Sequence, residues 1–275
     1  MTYSEWTPAD AAVQIKIPTG SDDKYSRGVL GVVTGSTDYP GAAVIGVEAA
    51  LRTGVGMVRY LGPEVPTRLA LARRPEIVTR QGRVQAWLLG SGISAGARDA
   101  ATANRLTTAI RQELPTVLDA GALDLVGSAT GPTVISPHHG ELARMLGIER
   151  SEIAEDPAAW AARAAADLGV TVLLKGFRTH IADPDGSRLL VTSATTWTAT
   201  AGTGDALGGI LGALLATHSA EIAARREALA QLAATACVLH SLAAERASGG
   251  GPFTVLDLAA ELPGVVARLL AAPRG

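Results

Sequence analysis

The chain has 275 residues, 47% of them hydrophobic, enough for the core of one large α/β domain. Its 24 basic and 26 acidic residues leave a formal charge of −2, which excludes the basic footprint of a protein that binds nucleic acid or an anionic membrane. One cysteine, Cys237, excludes a disulfide scaffold and a multi-cysteine metal centre, and is compatible with a reducing compartment.

Residues 1–27 read as a polar lead-in to a single domain covering 1–275, because Pro8, Pro18 and the Ser21-Asp-Asp-Lys24 cluster predict a loop. Met1–Lys16 lacks the basic start and apolar run of a secretory signal, and the apolar run Ala206–Ala216 is too short to span a bilayer, so the expectation is a cytoplasmic protein. Val29–Thr34 predicts a strand, Gly35–Gly41 a turn, Ala42–Arg52 a helix and Gly54–Tyr60 a second strand, together one βαβ unit. Val84–Leu89 is a third strand, followed by Gly90–Gly96 and a helix around Arg98–Gln112.

Two motifs overlap in that glycine-rich segment. Gly90, Gly92 and Ala95 satisfy the dinucleotide fingerprint G-x-G-x-x-A, while Gly92-Ile-Ser94-Ala-Gly96 satisfies the nucleophile elbow G-x-S-x-G, with Asp119 and His138 available to Ser94. No HGGG-like oxyanion segment precedes them, and a glycine-rich connection from strand to helix is the favoured reading.

Pro115–Leu118 is a strand with Asp119 at its carboxyl end, where ligands bind in parallel sheets. Thr133–Ser136 is the next, and Pro137-His-His-Gly-Glu-Leu-Ala-Arg-Met-Leu146 turns into a helix with His138 and Glu141 near its start. Adjacent histidines without HExxH spacing do not point to zinc. Pro157–Leu168 is helical, and Val170–Leu174 is an apolar strand ending in Lys175-Gly-Phe-Arg-Thr179. His180–Gly186 and Ser187–Thr192 predict a hairpin about an Asp-Gly turn. Helices at roughly 221–247 and 255–271 close the chain, with His218 and His240 read as surface or core residues.

Before those helices lies Thr200-Ala-Gly-Thr-Gly-Asp205, followed by Leu207, Ile210, Leu211, Leu214 and Leu215 at helical spacing: a glycine turn feeding a helix. Free amides of Thr203, Gly204 and Asp205 at the positive end of that helix favour an anion such as phosphate. Asp205 is either an N-cap carboxylate or a base that takes a proton from a hydroxyl attacking phosphorus. No Walker A lysine motif is present. Alternating strands and helices with polar turns predict a three-layer α/β/α sandwich around a mostly parallel sheet.

Tyr39-Pro-Gly-Ala-Ala43, Asp119-Ala-Gly-Ala-Leu123, Ser136-Pro-His-His-Gly-Glu141, Lys175-Gly-Phe-Arg-Thr179 and Gly202-Thr-Gly-Asp205 occur in that order. With these motifs the chain, from about Lys24 to Leu215, resembles the ADP- or ATP-dependent NAD(P)H-hydrate dehydratases of the ribokinase-like superfamily. The resemblance implies conversion of the S epimer of NADHX or NADPHX to NADH or NADPH at the expense of a nucleotide's terminal phosphate, with Mg2+. It implies Asp205 as the catalytic base, and Ala42, Gly92, His138 and Asp205 as contacts to the hydrate. Lys175, Gly176, Phe177, Arg178, Thr179, Gly202, Thr203 and Gly204 would bind the nucleotide, and Glu141 would hold magnesium through water. A homo-oligomer, typically a tetramer, is implied, as is a separate epimerase acting as functional partner, since the fused epimerase half of many bacterial relatives is not in this sequence. Two departures stand out: Gly121 replaces the family's usual second aspartate, and Gly90-Ser-Gly-Ile-Ser94 replaces its GPGLG. Two other readings stay open: a hydroxymethylpyrimidine- or hydroxyethylthiazole-type kinase of the same superfamily, whose phosphorylated product would be stable, and a nucleotide sensor without turnover.

Overall fold

Val29, Leu30, Val32 and Val33 are all inaccessible in the computed structural model, which describes residues 2–271, as a run without polar alternation requires of a strand covered on both faces. The elements follow in order: β1 (Ser4–Glu5), α1 (Pro8–Val13), β2 (Val29–Val33), α2 (Gly41–Thr53), β3 (Met57–Tyr60), α3 (Glu64–Arg73), β4 (Ala86–Leu89), α4 (Ala100–Ile110), β5 (Thr116–Leu118) and β6 (Thr133–Ile135). Then come α5 (His139–Leu146), α6 (Arg150–Glu155), α7 (Pro157–Leu168), β7 (Thr171–Leu174), β8 (Arg178–Ala182), β9 (Arg188–Thr192), α8 (Thr203–Thr217), α9 (Ser219–Ala224), α10 (Ala228–Ser248) and α11 (Val255–Ala271).

Among the described residues the strands form one nine-stranded sheet in the order β1-β9-β8-β7-β6-β5-β4-β2-β3, in which only β8 runs against the rest. Strand alternation sends Leu30, Val32 and Leu88 to a core shared with α2, α8, α10 and α11, and Val33, Trp87 and Leu89 to a second core beneath α4, α5 and α7. The expected three-layer α/β/α sandwich is the arrangement observed.

The lead-in is more structured than expected. Thr7 caps α1 in a reciprocal box with Asp10, Pro8 takes the first helical position, Ala11 and Ala12 are buried, and β1 pairs with the edge strand β9. The helix read over 221–247 is two helices, because Arg225 closes α9 through both its amide and its guanidinium on Glu221. By length and composition α10 could cross a membrane, a signal that run length alone passed over, yet 78% of its apolar window is buried inside the protein.

The packing that matters most for function is that of α2 on α8. They cross at Gly46 and Gly209, where a Cβ on Gly209 would overlap the Gly46 carbonyl. Both helices therefore begin side by side, over the carboxyl ends of the central strands.

Candidate active site

Loops leaving β4, β5, β6 and β7 converge beneath the start of α8. At the end of β5, Asp119 is 4% exposed, a costly place for a carboxylate unless it is fully bonded. It is: Ser91 Oγ donates to Oδ2 at 3.0 Å, Ser136 Oγ to Oδ1 at 3.0 Å, and Lys175 Nζ to Oδ1 at 2.7 Å. Lys175 follows β7 and is held in place by its amide, which donates to the Pro137 carbonyl at 2.8 Å. Its ammonium also lies 3.8 Å from Glu141 Oε2. Burial works against the Lys175 charge, but Asp119 and Glu141, with a further contribution from Asp205, outweigh it and hold its pKa above the ordinary lysine value.

The sequence read Gly202 as a turn residue, and the structure shows why glycine stands there: it caps α8 at φ 92°, in the left-handed region. The first helical bond is donated by Ala206 to Gly202, and the Thr203 amide reaches the Thr200 carbonyl at 3.4 Å. Of the three amides expected to be free, two are so, since those of Gly204 and Asp205 have no acceptor among the described residues. Lys175 Nζ stands over this opening, 3.6 Å from where a Cβ on Gly204 would lie. The Asp205 side chain caps no amide, which removes the N-cap reading. Burial, aided by the charge of Asp119 and opposed by Lys175, raises its carboxyl to about 6.

Ala42 lies in the first turn of α2 and touches the glycine segment after β4. Gly92 has φ 66°, and a Cβ there would overlap that of Ala42 and come within 2.9 Å of the Tyr39 carbonyl. Gly92→Ala is therefore expected to lower stability by about 1–3 kcal/mol. Denaturant titration checks this, and an unchanged midpoint would contradict the packing described.

His138 and Glu141 cap α5 reciprocally. His138 Nδ1 accepts the amides of Gly140 at 3.0 Å and Glu141 at 3.2 Å, while Glu141 Oε2 accepts the His138 amide at 2.8 Å. The imidazole proton is thereby placed on Nε2. Neither weak motif forms its site. Asp119 is committed to Ser91, Ser136 and Lys175 rather than to His138, so Ser94 has no triad, and α4 begins at Ala100 behind the cap Asp99, too far on for the glycines to open it.

Beside the start of α8 is a cavity of about 470 Å3. Lys175, Gly176, Phe177, Thr179, Thr203 and Gly204 line it, six of the eight residues assigned from the sequence to the nucleotide; exposed Arg178 and the cap Gly202 do not. The sequence reading missed Thr196, Thr198, His240 and Ser241, although the threonines of 192–203 were a visible cluster. Cys237 also borders the cavity, its thiol pushed up to about 12 by burial and hence unreactive. Among the described residues no three His, Cys, Asp or Glu side chains converge to hold a metal ion.

A family model described as NAD(P)H-hydrate dehydratase matches residues 30–260. The chain is 43% identical over 221 residues to the bifunctional NAD(P)H-hydrate repair enzyme Nnr of Mycobacterium tuberculosis, covering 76% of this chain and 45% of that protein, so it spans about half the length of such relatives. It is 30% identical over 285 residues to an ADP-dependent (S)-NAD(P)H-hydrate dehydratase of Xanthomonas campestris, covering 94% of each. The crystal structure of the ADP/ATP-dependent NAD(P)H-hydrate dehydratase of Bacillus subtilis, co-crystallised with ATP and Mg2+, superposes with a TM-score of 0.86 at 26% identity, over 98% of this chain and 99% of that one.

Proposed function

The chain belongs to the NAD(P)H-hydrate dehydratase family, and from that premise we propose that it uses ADP, or ATP, to dehydrate the S epimer of NADHX or NADPHX to the reduced cofactor, releasing AMP, or ADP, and phosphate. The observation that carries this reading is Asp205: a carboxylate with no hydrogen-bond partner among the described residues, beside two free amides and a lysine that borders a cavity of nucleoside size.

Hydroxide leaves the hydrated ring poorly, whereas a phosphate ester oxygen leaves readily. Asp205 takes the proton of the ring hydroxyl as its oxygen attacks the terminal phosphorus, and the bridging P–O bond of the nucleotide breaks. The Gly204 and Asp205 amides, fixed in advance, and the Lys175 ammonium balance the charge that grows on the phosphoryl oxygens. The ring nitrogen lone pair then expels phosphate with its C–O electron pair, and loss of a neighbouring ring proton restores the dihydropyridine. Ala42, Gly92 and His138 hold the hydrate, and Lys175, Gly176, Phe177, Thr179, Thr203 and Gly204, which line the cavity, hold the nucleotide.

The α5 cap uses Glu141 Oε2 and leaves Oε1 without a hydrogen-bond partner among the described residues, which fits Mg2+, an ion that commonly takes one or two carboxylates and completes its shell with phosphate and water. Glu141 would hold the ion through water, and the ion would neutralise phosphate charge. We further propose a cytoplasmic homo-oligomer, fed by an epimerase acting on the R epimer.

Incubating the protein with NADHX and ADP or ATP tests the reading: absorbance at the reduced-nicotinamide band should rise with each turnover. A stable phosphorylated product without that absorbance would favour a small-molecule kinase, and tight nucleotide binding without turnover would favour a sensor.

The raised Asp205 carboxyl adds a pH dependence. The base must be ionised, so kcat/KM should be level above about pH 6 and fall about tenfold per unit below it as Asp205 takes up a proton. A profile level down to pH 5 would contradict the assignment.

A further inference from the structure

Two neighbouring residues of α10 reach the nucleotide cavity without any part in the chemistry above. His240 Nε2 lies 3.0 Å from the Thr203 carbonyl oxygen, and Ser241 Oγ accepts the Ala194 amide at 2.6 Å. Thr203 opens α8, and Ala194 begins the segment that leads to it. One turn of a long core helix thus grips both ends of residues 194–203, whose Thr196, Thr198 and Ala199 form a wall of the cavity.

The contact with a carbonyl requires the ring to donate, so its proton sits on Nε2. Burial pulls the imidazole down to about 4, which keeps it neutral and in that tautomer at the pH of turnover. The ring borders the cavity rather than filling the core, and it touches the residue immediately before the two free amides. Even a small rotation of the Thr203 peptide would re-aim the Gly204 amide, and misplacement on the ångström scale can cost up to about a hundredfold in rate.

We propose that His240 is a positioning residue: through the Thr203 carbonyl it fixes the direction of the amides that receive the nucleotide's terminal phosphate, while Ser241 holds the far end of the same wall. The inference rests on the dehydratase reading for the identity of the nucleotide.

Two variants of similar bulk separate positioning from packing. His240→Leu fills the space without a donor and is expected to weaken ADP binding about tenfold and to lower kcat by a further tenfold or so. His240→Gln, which can carry an N–H to the same carbonyl, should remain within about threefold of wild type in both. His240→Ala opens a gap onto the cavity, and added imidazole should restore its ADP affinity and rate in a saturable way. Equal behaviour of the Leu and Gln variants, whether both impaired or both unimpaired, overturns the proposal, as does a folded Ala variant that imidazole does not help. ADP affinity by calorimetry reads this contact without any hydrate present. Wild-type protein that binds ADP but forms no reduced nicotinamide would end the dehydratase reading and still leave the Leu and Gln affinities to judge His240.

Discussion

Asp205→Asn should fold as the parent does, bind ADP with similar affinity and lose at least about a hundredfold in turnover, the usual scale for a missing general base. The substitution keeps the shape and removes only basicity. Asp205 makes no hydrogen bond that the amide would break, and its own carboxyl is disfavoured by burial and by Asp119, so losing the charge removes a repulsion instead of a support. Stability of the variant should equal or exceed that of the parent near neutral pH. Unfolding curves, ADP calorimetry and the absorbance assay report the three quantities separately. A turnover within a few-fold of the parent would take Asp205 out of the chemistry, whereas a folding defect would mean that its carboxylate supports the structure.

The second large effect concerns Lys175. From the sequence alone its replacement by Ala should chiefly weaken nucleotide binding, since a charge facing phosphate is lost. The structure adds a consequence for the fold, because Lys175 Nζ is also the 2.7 Å counter-charge of Asp119, whose side chain is 5% exposed against 20% for the lysine. Removing the ammonium leaves a buried carboxylate supported by Ser91 and Ser136 alone, which should cost about 3 kcal/mol. Lys175→Ala combined with Asp119→Asn removes both charges and should recover most of that stability while leaving ADP binding weak. Denaturant midpoints and ADP affinities of the single and double variants form the cycle that checks it. A single variant as stable as the parent would show the ion pair to be unimportant to the fold, and a double variant with normal ADP affinity would remove Lys175 from the nucleotide site.

What the sequence disclosed and what it withheld follow from the range of the interactions. Short-range signals were readable: the continuous apolar runs of the central strands, and Gly202 before an apolar helix. Thr7-Pro-Ala-Asp10 is an equally local signal, a capping box with proline at the first helical position, set within a segment whose composition reads as polar lead-in. Six of the eight nucleotide assignments fall on one cavity because the motifs that carry them end β7 and open α8, two neighbouring parts of the same layer edge. The other wall could not be read from periodicity. His240 and Ser241 look like ordinary helix residues until α10 packs on α8, and Asp119 looks like any acid after a strand until Lys175, 56 positions later, closes on it. The glycine motif at 90–96 matches two unrelated patterns, because a tight turn after a strand is common to both, and only the partners of Asp119 and the start of α4 exclude the two.

In the proposed reaction the ring oxygen becomes a phosphate oxygen. NADHX made by hydration in H2 18O carries the label at the hydroxyl, and one turnover with unlabelled ADP in ordinary water tests that claim by mass spectrometry of the products. Attack by that hydroxyl on phosphorus predicts one 18O in each phosphate released and none in AMP or solvent. Label recovered in water, with unlabelled phosphate beside it, would mean that the hydroxyl leaves without being phosphorylated and would contradict the mechanism built on Asp205.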